Sequence, residues 1–255
     1  MPSSSMLLLI SLSLVGALRV ASFPLSFTFR RANFQRSATA FMADRVFNSA
    51  DAKGGTDLEL SKTAIIFIEY QNEFTSDGGK LHDAVKENMA ETGMLEKSAT
   101  LAGKARNAGV KVFHAPISFA ADASDNPNKN LGILAGCAAD SLFTAGTWNA
   151  DFHESMKPAE GDIVVQNKKG LDAFPGTDLE EQLVMNGIET VVLGGFLSNC
   201  CVESTMRTAY EKGYNVITLT DCTATTSAEG FKAATEGTYG MFSKPMNSEE
   251  FSNLL

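Results

Sequence analysis

Residues 190–205 contain the sequence TVVLGGFLSNCCVEST. The first four residues are apolar or β-branched, as in a strand covered on both faces, and the two glycines that follow allow a sharp turn. The cysteines then begin a stretch, residues 201–212, whose apolar residues recur at helical spacing. The segment therefore predicts a strand, a tight turn and a helix that begins at a thiol.

Strands and helices alternate along the rest of the chain. Four further apolar runs predict strands, at residues 63–68, 110–114, 162–166 and 215–219. Three other stretches predict helices, at residues 81–107, 178–186 and 228–236. Such alternation indicates an α/β fold, here a three-layer α/β/α sandwich with a mostly parallel central sheet. Residues 118–148 interrupt the pattern with scattered Gly, Asn, Asp and Pro, and we interpret them as a long substrate-facing loop with short helical pieces.

Three reactive side chains follow predicted strands. They are Glu69, Lys168 and Cys201. Ligands of parallel α/β sheets bind at the carboxyl ends of the strands, so these side chains are expected at one site. A thiol at a helix N-terminus beside a lysine favours the thiolate, and a carboxylate can carry the thiol proton to a leaving group. The pattern therefore predicts a nucleophilic catalytic group.

Three motifs carry a resemblance to a known family. They are EYQNEF at residues 69–74, KKGLDAF at 168–174 and GGFLSNCCVEST at 194–205. Together they resemble the isochorismatase-like superfamily of cysteine hydrolases, which includes nicotinamidases and N-carbamoylsarcosine amidohydrolases. The resemblance covers about residues 60–245 and implies an isochorismatase-like, Rossmann-like fold.

The resemblance also implies roles for the three side chains. The family nucleophile precedes Val-x-x-Thr, which selects Cys201 rather than Cys200. Lys168 and Glu69 would complete the catalytic triad. The family usually has Asp where this chain has Glu69, and the additional methylene displaces the carboxylate by about the length of a C–C bond, ~1.5 Å.

By the same resemblance, a cis peptide bond is expected between Phe196 and Leu197. The backbone N–H groups of Leu197 and Cys201 would then form the oxyanion hole. The metal-binding pattern of metal-dependent nicotinamidases is absent from the sequence, so we expect neither a metal nor another cofactor. Family members are usually oligomers, so we expect a homodimer or homotetramer.

A cysteine at this position favours one activity over two others. The favoured activity is hydrolysis of a carbon–nitrogen, amide-type bond of a small molecule through a thioester. One alternative is an isochorismatase-type hydrolase of a vinyl ether. The other is a catalytically silent binding or assembly protein, in which Cys201 would be a buried, inert thiol.

Several other residues have an expected place but no assigned role. The aromatic side chains of Tyr70, Phe74, Phe119 and Trp148 are candidates for lining the substrate pocket, although each could equally belong to the core. Glu73 is expected to be a surface or helix-capping carboxylate.

Composition limits the partners. The chain of 255 residues has a formal charge of −9, and without the four arginines of residues 1–43 it has 17 basic against 30 acidic residues. This excess of acidic residues argues against nucleic acid as a binding partner, because phosphate binding needs a basic surface. Beyond residue 25 no apolar run is long enough to span a bilayer, so we expect a small-molecule substrate and no membrane association of the mature domain.

Residues 1–43 differ from the rest and are set apart as a targeting segment. They contain no acidic residue, and an apolar run at 6–18 precedes Arg- and Ser-rich sequence. This order is typical of a signal peptide followed by a transit peptide and resembles the presequences of complex plastids. We therefore predict a plastid protein with a hydrolase domain at residues 44–255, the alternative being secretion or the lumen of the endomembrane system.

Overall fold

The computed structural model describes residues 58–255, so the predicted targeting segment and the predicted domain start at residue 44 lie outside the described part. The described strands are β1 (Thr63–Ile68), β2 (Lys111–Ala115), β3 (Ile163–Val164), β4 (Thr190–Phe196), β5 (Asn215–Ala224) and β6 (Lys244–Met246). They form one sheet in the order β3-β2-β1-β4-β5-β6, and every pair is parallel. The predicted α/β class is confirmed.

Helices cover both faces of this sheet. The described α-helices are α1 (Asn72–Thr75), α2 (His82–Thr92), α3 (Met94–Asn107), α4 (Gly132–Ala139), α5 (Leu179–Met185), α6 (Glu203–Glu211), α7 (Ala228–Lys232), α8 (Tyr239–Phe242) and α9 (Ser248–Ser252). Three 3₁₀ turns, Leu60–Lys62, Trp148–Ala150 and Glu154–Met156, and two π-helical segments, Ser198–Val202 and Ala233–Thr238, complete them. Each helix among residues 58–255 is too short or too polar to cross a membrane.

The sheet separates two apolar cores, and β1 serves both. Ile65 and Phe67 point into one core with residues of α2, α3 and α9, whereas Ile66 and Ile68 point into the other with residues of α5, α6 and α8. Successive side chains of a strand alternate between faces, so a strand covered on both sides needs apolar residues throughout. All six residues of β1 are buried, which explains its uninterrupted apolar sequence.

Some predicted boundaries were wrong. The helix predicted over residues 81–107 is two helices, because Gly93 adopts a left-handed conformation (φ 65°) that ends α2 and begins α3. The strand predicted over 215–219 continues to Ala224 past the partly exposed Thr220 and Asp221, where its apolar pattern ends. The short elements β6 and α9 had no prediction.

The end of β4 lies unusually close to the end of β1. Gly195 has φ 137°, and a Cβ atom there would lie 2.1 Å from the Ile68 carbonyl oxygen and 2.8 Å from its carbonyl carbon. The β4–β5 register shifts between Leu193 and Gly195, which marks the same irregularity. Glycine is therefore required at position 195, where β4 passes the backbone of Ile68 at the end of β1.

We predict that Gly195→Ala lowers the free energy of unfolding by at least about 2 kcal/mol, because the new methyl group meets backbone that cannot move away. Urea unfolding followed by circular dichroism measures the loss. Gly103→Ala is the matched control: this glycine lies inside α3 with no atom within 4 Å of the added Cβ, so a gain of roughly 0.5–1 kcal/mol is expected. Equal effects at the two positions would contradict the steric argument.

Candidate active site

The three predicted catalytic residues converge at the carboxyl end of the sheet. Glu69 follows β1 directly, Lys168 follows β3, and Cys201 follows β4. All three are buried, with 2%, 1% and 4% of their surface exposed. The Lys168 ammonium donates a hydrogen bond to Glu69 Oε1, forming an ion pair, and Glu69 and Cys201 line the same cavity.

Backbone geometry turns the two charged side chains toward each other. Glu69 itself has φ 60°, and Asn167, directly before Lys168, has φ 64°. Both are left-handed conformations that residues other than glycine adopt rarely, at a cost on the order of 1 kcal/mol or more. The Glu69 N–H donates to the Ala115 carbonyl (3.2 Å) at the end of β2, which fixes the turn.

Lys168 is held as a charged ammonium. Its Nζ also donates to the Gly170 carbonyl at 2.7 Å, so it has two acceptors inside the protein. Burial alone would lower the pKa of Lys168, but the charges of Glu69 and of the neighbouring cysteines, with the hydrogen bond to Glu69, raise it above the usual value. The cation beside Glu69 therefore persists across the physiological pH range.

The surroundings of the Cys201 thiol favour its protonated form. Its pKa is raised well above the ordinary value by a hydrogen bond with the Cys200 thiol, by burial and by the charge of Glu69, while Lys168 lowers it in part. This differs from the expectation that the helix start and Lys168 would favour the thiolate, because burial and the nearby carboxylate oppose them. A base must therefore remove the proton during attack.

The segment around Cys201 carries the backbone features that the resemblance implied. The peptide bond between Phe196 and Leu197 is cis. Leu197 lines the cavity together with Cys201. Ser198–Val202 forms a π-helical segment before α6, so Cys201 lies at the start of a helix as expected, although α6 itself begins two residues later. Both candidate oxyanion-hole residues thus border the same space as the thiol.

That space is a cavity of about 280 Å³ with one wall from the predicted substrate-facing loop. α4 and the residues after it supply this wall, including Ile133, Leu134, Leu142 and Phe143. The opposite side is formed by the ends of the strands. The second half of residues 118–148 therefore borders the cavity that Glu69 and Cys201 also line, while their contact with substrate stays a prediction.

One of the four aromatic candidates lines this cavity. Phe74 does so, and its ring stacks on Phe196 at 4.8 Å between centroids. The other three, among the described residues, do not line this cavity, so of the two interpretations left open for them the structure gives no support to pocket lining. Tyr70 is a core residue whose hydroxyl donates to the Cys222 carbonyl, Phe119 is buried under the loop, and Trp148 is 49% exposed on the outer surface.

Two residues of the first motif have structural roles that sequence reasoning missed. The buried Gln71 amide donates to the Ile117 and Ala150 carbonyls and accepts from the Ile117 N–H, joining the chain after β1 to the chain after β2. Glu73, expected at the surface, is fully buried. Its carboxylate accepts from the N–H groups of Lys80 and Phe143 and from the Asn149 amide.

Comparison with known proteins gives consistent matches. The isochorismatase domain family matches residues 63–250. Ureidoacrylate amidohydrolase RutB of Methylorubrum extorquens is 31% identical over 176 residues, which cover 65% of this chain and 71% of that protein.

Solved structures share the fold at lower identity. A cysteine hydrolase from Pseudomonas syringae pv. phaseolicola superposes with a TM-score of 0.69 at 22% identity, covering 78% of this chain and 94% of that one. N-carbamoylsarcosine amidase from Thermoplasma acidophilum gives a TM-score of 0.61 at 24% identity, covering 74% and 97%.

The ion pair allows a thermodynamic prediction. Lys168→Met leaves the Glu69 carboxylate buried without its partner, so we expect a loss of about 3–5 kcal/mol in the free energy of unfolding. In the double variant Glu69→Gln/Lys168→Met, no uncompensated charge remains, and at least half of that loss should be recovered. Urea unfolding of both variants and of the parent measures the difference. A double variant less stable than the Lys168 variant would refute the pairing argument.

The raised pKa of Cys201 allows a second prediction. Thiolate forms only as the pH approaches that pKa, so iodoacetamide should label Cys201 slowly near neutral pH and faster as the pH rises. Glu69→Gln removes a charge that raises this pKa, so labelling at pH 8 should accelerate about 3- to 10-fold. Mass spectrometry measures the labelling of Cys201 with and without Glu69→Gln. Both proteins also carry Cys200→Ser, so that the neighbouring thiol does not contribute to the signal. Slower labelling after Glu69→Gln would contradict the assigned electrostatics.

Proposed function

Because the chain belongs to the isochorismatase family of hydrolases, we propose that it is a cysteine hydrolase that cleaves a carbon–nitrogen bond of a small amide or ureido compound through a thioester. The names of two similar proteins support this chemistry, since one is a ureidoacrylate amidohydrolase and the other an N-carbamoylsarcosine amidase. The observation that carries the proposal is the position of Cys201 and Glu69 on one cavity, with Lys168 bound to Glu69.

In the first half of the proposed reaction, Cys201 Sγ attacks the carbonyl carbon of the substrate while Glu69 takes the thiol proton. The carbonyl oxygen becomes an oxyanion, which accepts hydrogen bonds from the N–H groups of Leu197 and Cys201. The carbon–nitrogen bond then breaks as Glu69 passes its proton to the departing nitrogen. Ammonia or an amine leaves, and the acyl group remains on sulfur as a thioester.

In the second half, water enters the position of the leaving group. Glu69 takes a proton from this water as its oxygen attacks the thioester carbon, and the same two N–H groups hold the second oxyanion. The carbon–sulfur bond breaks, the proton returns to sulfur, and the acid product leaves. Lys168 does not exchange protons in this scheme. Its charge and its hydrogen bond to Oε1 of Glu69 hold the carboxylate in place.

Glu69 replaces the shorter Asp of the family in this role. Its left-handed backbone and its bond to Lys168 direct the longer side chain back toward the cavity. The proposal requires that this carboxylate serve the thiol despite the additional methylene, and it is supported by the fact that both residues border one cavity.

The proposal predicts ammonia release from small primary amides or ureas. Cys201→Ser should lower kcat/KM at least about 10³-fold, because a serine hydroxyl is a far weaker nucleophile without a matched base. Cys200→Ser is the matched control and should keep activity within about tenfold, since this thiol is not the attacking group. A coupled ammonia assay over amides, ureas and carbamoyl compounds measures both variants.

Two results would contradict the proposal. Undiminished turnover by Cys201→Ser would exclude the cysteine mechanism. No ammonia release from any compound by the unaltered protein would favour the silent binding protein instead.

A further inference from the structure

Two of the residues that line the cavity are the proposed reactive groups, and most of the others are apolar. The two reactive residues are Glu69 and Cys201. Away from them the lining is dominated by aliphatic and aromatic side chains such as Leu134, Leu142 and Phe143. At about 280 Å³, the space is close to the lower end of the ~300–1,000 Å³ typical of ligand pockets, so it fits a small-molecule substrate.

The charges on the lining are all of one sign. Among the described residues that line the cavity, the charged ones are Glu69 and Asp140, and both are acids. Glu69 is matched by Lys168, whereas Asp140 directly follows α4 and is exposed to solvent. A second anion brought into this space would therefore meet a carboxylate and apolar groups.

The nearby cations are engaged elsewhere. Lys168 Nζ donates to Glu69 and to the Gly170 carbonyl. Lys80 Nζ donates to the backbone carbonyl of Asp140 at 2.5 Å, pointing at the peptide rather than into the cavity lining. Lys169 Nζ donates to the Ser118 carbonyl at 2.6 Å and pairs with Asp125 at 2.8 Å. None of these three lysines lines the cavity.

We propose that the substrate is an uncharged amide or urea with a compact apolar tail, and that substrates whose tail ends in a carboxylate are rejected. This inference rests on the proposed function and adds the substrate class. A carboxylate at the tail would lose its hydration without gaining a cation, and the exposed carboxylate of Asp140 would add a weaker, screened repulsion. An apolar tail instead buries hydrocarbon against the wall formed by α4 and residues 140–143.

A matched pair of ureas tests the substrate class. 3-Methylbutylurea and 3-ureidopropionate have the same heavy-atom count and branching, and differ in an isopropyl against a carboxylate end. We expect kcat/KM for 3-methylbutylurea to be at least about 30-fold higher. A second pair, 4-methylpentanamide and succinamate, repeats the comparison on amides. A ratio near one, or preference for the carboxylates, would overturn the inference.

Asp140 variants test the assigned cause. Asp140→Lys should reduce the preference for the neutral urea at least about tenfold, because it places a cation where a carboxylate tail would lie. Asp122→Asn, at an exposed carboxylate of the same loop that does not line the cavity, should leave the ratio unchanged. An unchanged ratio in the Asp140 variant would remove this residue from the explanation.

A binding measurement distinguishes failure of this inference from failure of the proposed function. Calorimetry on Cys201→Ala needs no turnover, so it reports substrate class even if no ammonia is ever released. Tighter binding of 3-methylbutylurea than of 3-ureidopropionate supports the inference. Equal or tighter binding of the carboxylate, or no binding of either up to about 10 mM, overturns it.

Discussion

The buried ion pair between Lys168 and Glu69 is the interaction on which the rest of the site depends. Taking both charges out of water is costly, and each is tolerated because the other, together with the Gly170 carbonyl, replaces its hydration. The pair joins the chain after β1 to the chain after β3, two strands separated by β2. The backbone N–H of Glu69 also donates to the Ala115 carbonyl at the end of β2, and the Lys168 carbonyl accepts from the Ser118 N–H just after it, so the ion pair and these backbone bonds together link the ends of three strands.

This arrangement explains how the Cys201 thiol can remain protonated beside a lysine. The hydrogen bond with Cys200, burial and the Glu69 carboxylate all raise the pKa of Cys201 and so favour the protonated thiol over a free thiolate. In the proposed mechanism the same carboxylate removes that proton only when a carbonyl is in place to be attacked. In that mechanism Glu69 therefore contributes both to the protonated resting thiol and to its activation, and Lys168 holds Glu69 in position through their ion pair.

The sequence predicted the parts of this molecule that local pattern determines. β1 was predicted to the residue, because a strand buried on both faces has no polar interruption. Convergence of Glu69, Lys168 and Cys201 followed from the parallel-sheet rule and from the motifs. Long-range pairing decided the rest: β5 continues past its apolar run, and Glu73 is buried because it satisfies N–H groups far along the chain. Nothing local to EYQNEF indicates those partners.

Glu73 links the two parts of the chain that form the pocket. The floor is formed at the ends of the strands and, in the proposed mechanism, takes part in every step, whereas the outer wall is a single loop excursion that the Glu73 carboxylate bonds through Phe143 and Asn149. Such a design lets evolution or a protein engineer exchange the wall, for example residues 127–142, while the anchoring carboxylate and the reactive floor stay as they are. New specificities can then arise by transplanting a loop instead of rebuilding an enzyme.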